Sequence, residues 1–210
     1  MAPRVKFQKE EIIAAALNVV RTKGIEALTA REVGAQLQVS SRPIFTWFDS
    51  MEDLKKEVSR MAMEKYRICI TEGLKEPIPF LGVWHRYIRF AREEPMLYRL
   101  LFLSRADETI GGAAEAMRFS QDLVRDSVMK IYQMTPLQAD SYFRNIWLAA
   151  FSYAAMIVNG DCPYTDEEIF AVGTELSIAV CKAYKEIPGL AEGSYDRDAI
   201  FRKLVNSSSV

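Results

Sequence analysis

The residue types and spacings able to do chemistry are few in this chain, and most lie between residues 29 and 48. Thr29 stands three positions before Glu32, so its hydroxyl can cap a helix start while the carboxylate reaches back to the cap. Ser40 can cap a second start, with Ser41, Arg42 and Pro43 in its first turn, where a missing amide hydrogen costs little. A helix N-terminus carrying serine hydroxyls presents backbone amides and a positive dipole end to phosphate. Catalytic patterns are missing: there is no nucleophile elbow, no His-Glu-x-x-His, no phosphate loop and no Glu-x-x-His pair. Cys69, Cys162 and Cys181 form no CxxC pair and His85 is the single histidine, so neither a zinc site nor a disulfide framework is expected. No catalytic residue, metal or cofactor is expected, and the chain reads as a non-enzyme.

The elements that must position these residues are helices. Ile12, Ile13, Ala16, Leu17, Val19 and Val20 recur at helical spacing between Gln8 and Lys23, and Gly24 supplies the stop. A short helix from Thr29 carries Val33 and Leu37, Gln38-Val39 turns the chain, and Ser41 to Phe48 reads as a third helix. Two short helices joined by a tight turn, with a longer one packed on them, match a helix-turn-helix. An ordinary three-helix bundle fits the periodicity equally well.

Further helices are expected from Met51 to about Lys75, Pro79 to Glu94, Pro95 to about Ser104, and Ala113 to Tyr132 after a loop at Gly111-Gly112. Thr135-Pro136 opens a long helix ending near Gly160, Asp161 to Tyr164 make a turn, and Asp166 to Lys185 form the last long helix. A short helix over Asp196–Val205 and a disordered Asn206–Ser209 complete a partly disordered tail, 186–210. No segment alternates like a strand. The expected fold is all-α with about nine helices, divided into residues 1–48 and 49–210.

Composition narrows the function class. Of 210 residues, 50% are hydrophobic and 26% charged, which excludes a disordered chain. The first 48 residues hold seven Lys/Arg against four acids, while the rest hold 20 basic and 24 acidic residues. A basic front on an acidic body fits a chain whose first domain alone meets a polyanion. The longest apolar run, Ile146 to Val158, is too short for a membrane span, and Met1-Ala2-Pro3-Arg4 lacks a leader's apolar stretch. A cytoplasmic location is expected.

In the body, Trp84-His85 invite a ligand role, although a lone histidine is as readily a structural hydrogen-bonding residue. Tyr66, Phe102, Met117, Gln121, Phe143 and Trp147 could line a cavity for a largely apolar, aromatic or cationic ligand; as readily, they are core. Arg86, Arg89 and Arg92 read as a solvated stripe pairing with Glu93 and Glu94. The helices over about 135–160 and 166–185 carry more apolar surface than one domain face needs. Trp147, Leu148, Phe151 and Ile157 on the first, with Ile169, Val172, Leu176 and Val180 on the second, suggest a two-fold four-helix bundle between subunits.

Over residues 8–58 the order of cap, turn, aromatic pair and second cap resembles the N-terminal signature of the TetR/AcrR family of bacterial transcriptional regulators. Leu28-Thr29-Ala30-Arg31-Glu32-Val33, then Gln38-Val39-Ser40, then Ile44-Phe45-Thr46-Trp47-Phe48 and Ser50-Met51-Glu52-Asp53-Leu54 carry the match. The resemblance implies a homodimer that binds double-stranded, palindromic operator DNA and is released by a small-molecule effector. By position it gives Thr29 and Ser40 to phosphate, and Arg31 to a base edge. Ser41, Arg42 and Pro43 take the groove-facing turn, and Thr46 and Trp47 contact backbone or sugar. Arg42, Pro43, Phe45 and Met51 stand where the family usually has Gly or Ala, Thr, Tyr and Lys. Three of these exchanges remove a phosphate-binding group, while Arg42 adds one able to bond guanine O6 and N7 together. A ligand-responsive regulator, most simply a repressor, is the expected function; a helical ligand-binding or scaffold protein with a vestigial helix-turn-helix is the alternative.

Overall fold

The computed structural model describes residues 7–104 and 112–206, and every regular element within them is helical. α1 (Lys9–Lys23) ends at Gly24, whose φ of 84° lies in the left-handed half of backbone space. α2 (Ala30–Gln36) starts at Thr29, whose hydroxyl accepts the Glu32 amide at 3.2 Å. The reciprocal half of the expected box is not made. The Thr29 amide donates to the Ala27 carbonyl, and the Glu32 carboxylate takes the Lys23 ammonium. That bond holds the Glu32 carboxyl below its usual pKa and ties α2 to the end of α1.

The helix expected from Ser41 to Phe48 does not form. One 3-10 turn, Ile44–Thr46, stands in its place, with Pro43 rather than Ser40 as N-cap and no side-chain cap. The physical reason is Arg42, because a residue preceding proline is disfavoured in the α region. Amides therefore reach back three residues, Ile44 to Ser41, Thr46 to Pro43 and Trp47 to Ile44. Gln38 turns the chain into this segment with φ 57°, a conformation uncommon outside glycine.

α3 (Met51–Glu72) opens with the Ser50 hydroxyl accepting the Asp53 amide, and its expected last residues, Gly73–Lys75, wind as a 3-10 turn. α4 (Pro79–Glu93) is followed by α5 (Pro95–Tyr98), which passes into a π turn over Arg99–Leu103 instead of continuing to Ser104. α6 (Gly112–Tyr132) begins at Gly112, expected in a loop; Gly111 lies outside the described residues. α7 (Pro136–Asn159) opens on the box of Thr135 and Gln138 and stops at Gly160, φ 77°. α8 (Asp166–Glu186) and α9 (Arg197–Asn206) complete the order. Asn206, expected in the disordered tail, ends α9, and Ser207–Ser209 lie outside the described residues.

One apolar cluster runs from Ile12 and Val33 through Leu54 and Tyr66 to Trp147. α4 lies at its centre and packs against α3, α6, α7 and α8. Two glycine contacts hold it there. Gly82 crosses Gly73 so closely that a Cβ on Gly82 would lie 2.0 Å from the Gly73 carbonyl oxygen. The Trp84 indole rests on Gly173 of α8, where a Cβ would lie 2.5 Å from the ring. No helix among the described residues is long and apolar enough to cross a membrane.

Candidate DNA interface and effector cavity

Ile44 and Phe48 are buried and fasten the 3-10 turn to the N-terminal module, so the residues around them face outward. Thr29, Arg31, Ser40, Arg42 and Thr46 are exposed, Ser41 and Pro43 half-buried, and Phe45 and Trp47 stand 52% and 47% exposed. Thus all nine sequence-predicted positions reach one module's surface. Among the described residues, neither Arg31 nor Arg42 has a carboxylate within ion-pair distance. Two unpaired guanidiniums beside exposed hydroxyls form a surface suited to phosphate and base edges.

Trp47 differs from expectation in one respect. Its indole N–H donates to the Phe7 carbonyl at 2.9 Å and so is not free for a DNA backbone oxygen; the ring face remains. This bond pins the residues before α1 to the interface, and Lys9 adds to the pin by pairing with Glu57 of α3 at 3.3 Å. Trp47→Phe is expected to cost about 1 kcal/mol, the net worth of one hydrogen bond, read by thermal denaturation. An unchanged melting temperature would show that the bond is not held in solution.

In the body, Phe80, Val83, Trp84, Tyr87, Ser120, Phe143, Ile146, Trp147 and Ala150 enclose a cavity of about 20 Å³, room for one water. Trp84, Phe143 and Trp147 are thus brought together, but the other five candidates are not in the lining. Tyr66 and Phe102 form the aromatic layer next to it, with ring centroids 5.2 Å apart. His85 Nδ1 is 2.9 Å from a Glu76 oxygen, and its ring lies 4.3 Å from that of Phe170. Gln121 and Met117 are half-buried on α6.

The hydroxyls near the cavity are spoken for. Ser120 donates to the Ala116 carbonyl at 2.9 Å, so the Tyr66 hydroxyl must donate to Ser120 Oγ, 2.7 Å away. Tyr87 and Tyr98 bond each other at 2.9 Å. Burial pushes the Tyr66, Tyr87 and Tyr98 phenols well above their ordinary pKa, so all three stay neutral. The indole N–H groups of Trp84 and Trp147 are buried without an acceptor.

Sequence reasoning missed one contact between body and module. Arg21 of α1 donates from Nε to Glu94, between α4 and α5, at 2.7 Å, with a second bond from Nη2. Glu94 therefore does not pair with the α4 arginines. Arg89 holds Glu93 as expected, while Arg92 takes Asp166. The partners are 73 positions apart, and no local pattern signals them.

The N-terminal module, with Arg31 and Arg42 on its exposed face, is joined to the helical body through an ion pair and a shared core. Residues 12–58 match the family described as bacterial regulatory proteins, tetR family. No curated protein matches the chain. Among solved structures, a TetR-family member from Streptomyces coelicolor A3 is similar at 21% identity, covering 80% of this chain and 96% of its own, TM-score 0.53. The multidrug binding protein EbrR, complexed with imidazole, is similar at 21% identity over 84% and 97%, TM-score 0.57. A TetR-family transcriptional regulator from Streptomyces coelicolor, 17% identical over 83% and 98%, gives TM-score 0.53. At these identities the likeness is one of fold.

Proposed function

We propose that the chain is a ligand-responsive repressor whose residues 1–48 bind a palindromic operator and whose residues 49–210 bind an effector and dimerise. The observation that carries this reading is the pair Arg31 and Arg42, exposed on the module and without an ion-pair partner among the described residues. A segment so short offers three or four side chains per half-site, so two copies are required for useful specificity, about 34–36 Å apart on one DNA face. α7 and α8 supply the means. Leu148 is 51% and Ile178 64% exposed, and Val172, Leu176 and Val180 are only half-covered by the chain itself. Sedimentation of the protein with a duplex from the DNA flanking its own gene tests the arrangement. Two chains of 23.9 kDa per duplex are expected, and one chain per duplex would refute it.

Release follows from a population shift between two separations of the half-site readers, and only an effector that binds one of them better can act. α3 leaves the module at Met51 and continues to the cavity layer at Tyr66. A second route runs from Tyr87 to Tyr98 on α5, whose flank at Glu94 grips Arg21 of α1. Glu94→Gln is expected to leave operator affinity within about threefold and to weaken the effector's influence about tenfold, read by anisotropy with and without effector. Full effector response in that variant would exclude the second route.

A further inference from the structure

The cavity is selective in its chemistry, not only in its shape. No charged side chain lines it. On the helices around it, Glu115 is engaged by Arg67 at 2.7 Å and Asp140 by Arg125 at 2.7 Å. Ser120, Tyr66, Tyr87 and Tyr98 satisfy one another or the backbone. The unsatisfied polar groups on lining residues are two indole N–H donors; that of Trp84 lies against Gly173 of α8, which leaves the Trp147 N–H for the cavity. The Trp147 N–H makes no hydrogen bond, so an acceptor admitted to the cavity beside it would complete it.

Resting on the reading that the body binds an effector, we propose that this effector is a neutral, largely aromatic molecule bearing an oxygen acceptor for the Trp147 N–H, and not an organic cation. Planar aromatic walls from Phe80, Trp84, Tyr87 and Phe143 suit an aromatic body stacked or edge-on. A cation entering this site would shed its hydration with no carboxylate to meet it, which ring faces alone do not offset. An acceptor gains instead, because it removes a buried donor's standing penalty. At about 20 Å³ the cavity admits the acceptor atom but not the aromatic body. Binding must therefore part α4 from α7, and Tyr87, which carries the route to α5, lies on the wall that moves.

Three probes with one naphthalene body isolate the chemistry: 2-acetylnaphthalene, 2-isopropylnaphthalene and 2-naphthyl-trimethylammonium. They are titrated into the ¹⁵N-labelled full chain while the indole N–H resonances of Trp47, Trp84 and Trp147 are followed, with Trp84→Phe and Trp147→Phe as assignment and affinity controls. The expected result is acetyl binding at least about tenfold tighter than either partner, with the Trp147 resonance moving downfield. Trp147→Phe should lower acetyl affinity about tenfold and leave isopropyl affinity unchanged. Tightest binding by the ammonium probe, or equal acetyl and isopropyl binding with Trp147 unmoved, overturns the proposal while leaving an effector-binding body intact. Binding by none of the three overturns both.

Discussion

Gly82→Ala is expected to lower the melting temperature by about 6–12 °C, the consequence of a loss near 3 kcal/mol in a chain of this length. The added methyl has nowhere to go. It would meet the Gly73 carbonyl oxygen at 2.0 Å and the Glu76 Cβ at 2.9 Å, and the first of these is backbone, which no rotamer change relieves. The start of α4 would have to lift from the 3-10 turn at Gly73–Lys75, disturbing the Glu76–His85 bond and the Phe80 wall of the cavity together. Gly160→Ala is the control. Gly160 also has a positive φ, 77°, but a Cβ there meets nothing within 4 Å, so only the conformational cost of about 1 kcal/mol remains. Equal melting temperatures for the two variants would mean that α4 is not held against the turn in this way.

Leu148→Asp combined with Ile178→Asp is expected to leave the chain folded and to sediment at 23.9 kDa instead of twice that. Both residues are mostly exposed on α7 and α8, so the folded subunit loses little of its own core. In a two-fold bundle the same positions become desolvated, and four carboxylates buried in the joint interface have no counter-charge. Operator affinity should then fall at least about a hundredfold, since each half-site would bind alone. A doubly substituted protein that remains dimeric would locate the subunit contact elsewhere on the surface.

Much of the fold was legible because its boundaries carry local chemistry. Thr135-Pro136 specifies a helix start through a cap and a fixed φ, and the structure makes the cap bond and adds the returning Gln138 side chain. Gly24 and Gly160 announce helix ends in the same local way. The segment after Ser40 misled for an equally local reason. Pro43 is acceptable within a helical first turn, but its restriction falls on Arg42, and the helix that the serines would have capped shortens to three residues. Gln38 turns left-handed without the glycine that would have signalled it.

The candidate sites divide along the same line. The positions from Thr29 to Trp47 were implied by the family resemblance alone, and the fold adds that Ile44 and Phe48 are the buried anchors among them. The cavity could not be assigned residue by residue. Tyr66, Phe102 and Trp147 have like chemistry and helical spacing, and only the packing of α3, α4, α6 and α7 decides which one reaches an empty space. Neither the Arg21–Glu94 bond nor the Trp47–Phe7 bond has a sequence signal, since each joins residues at least 40 positions apart.

The central claim is that the face carrying Arg31 and Arg42 reads DNA sequence. Fluorescence anisotropy on short duplexes tiled from the DNA flanking the gene, at two salt concentrations, tests it most directly, with Arg31→Ala and Arg42→Ala in parallel. The expected result is tight binding to one near-palindromic tile, with each substitution costing about 1–3 kcal/mol per half-site and relaxing the choice between tiles. Weak binding that is equal on every tile, falls steeply with salt and is indifferent to both arginines would contradict the claim, leaving a module with the shape of a reader and no readout.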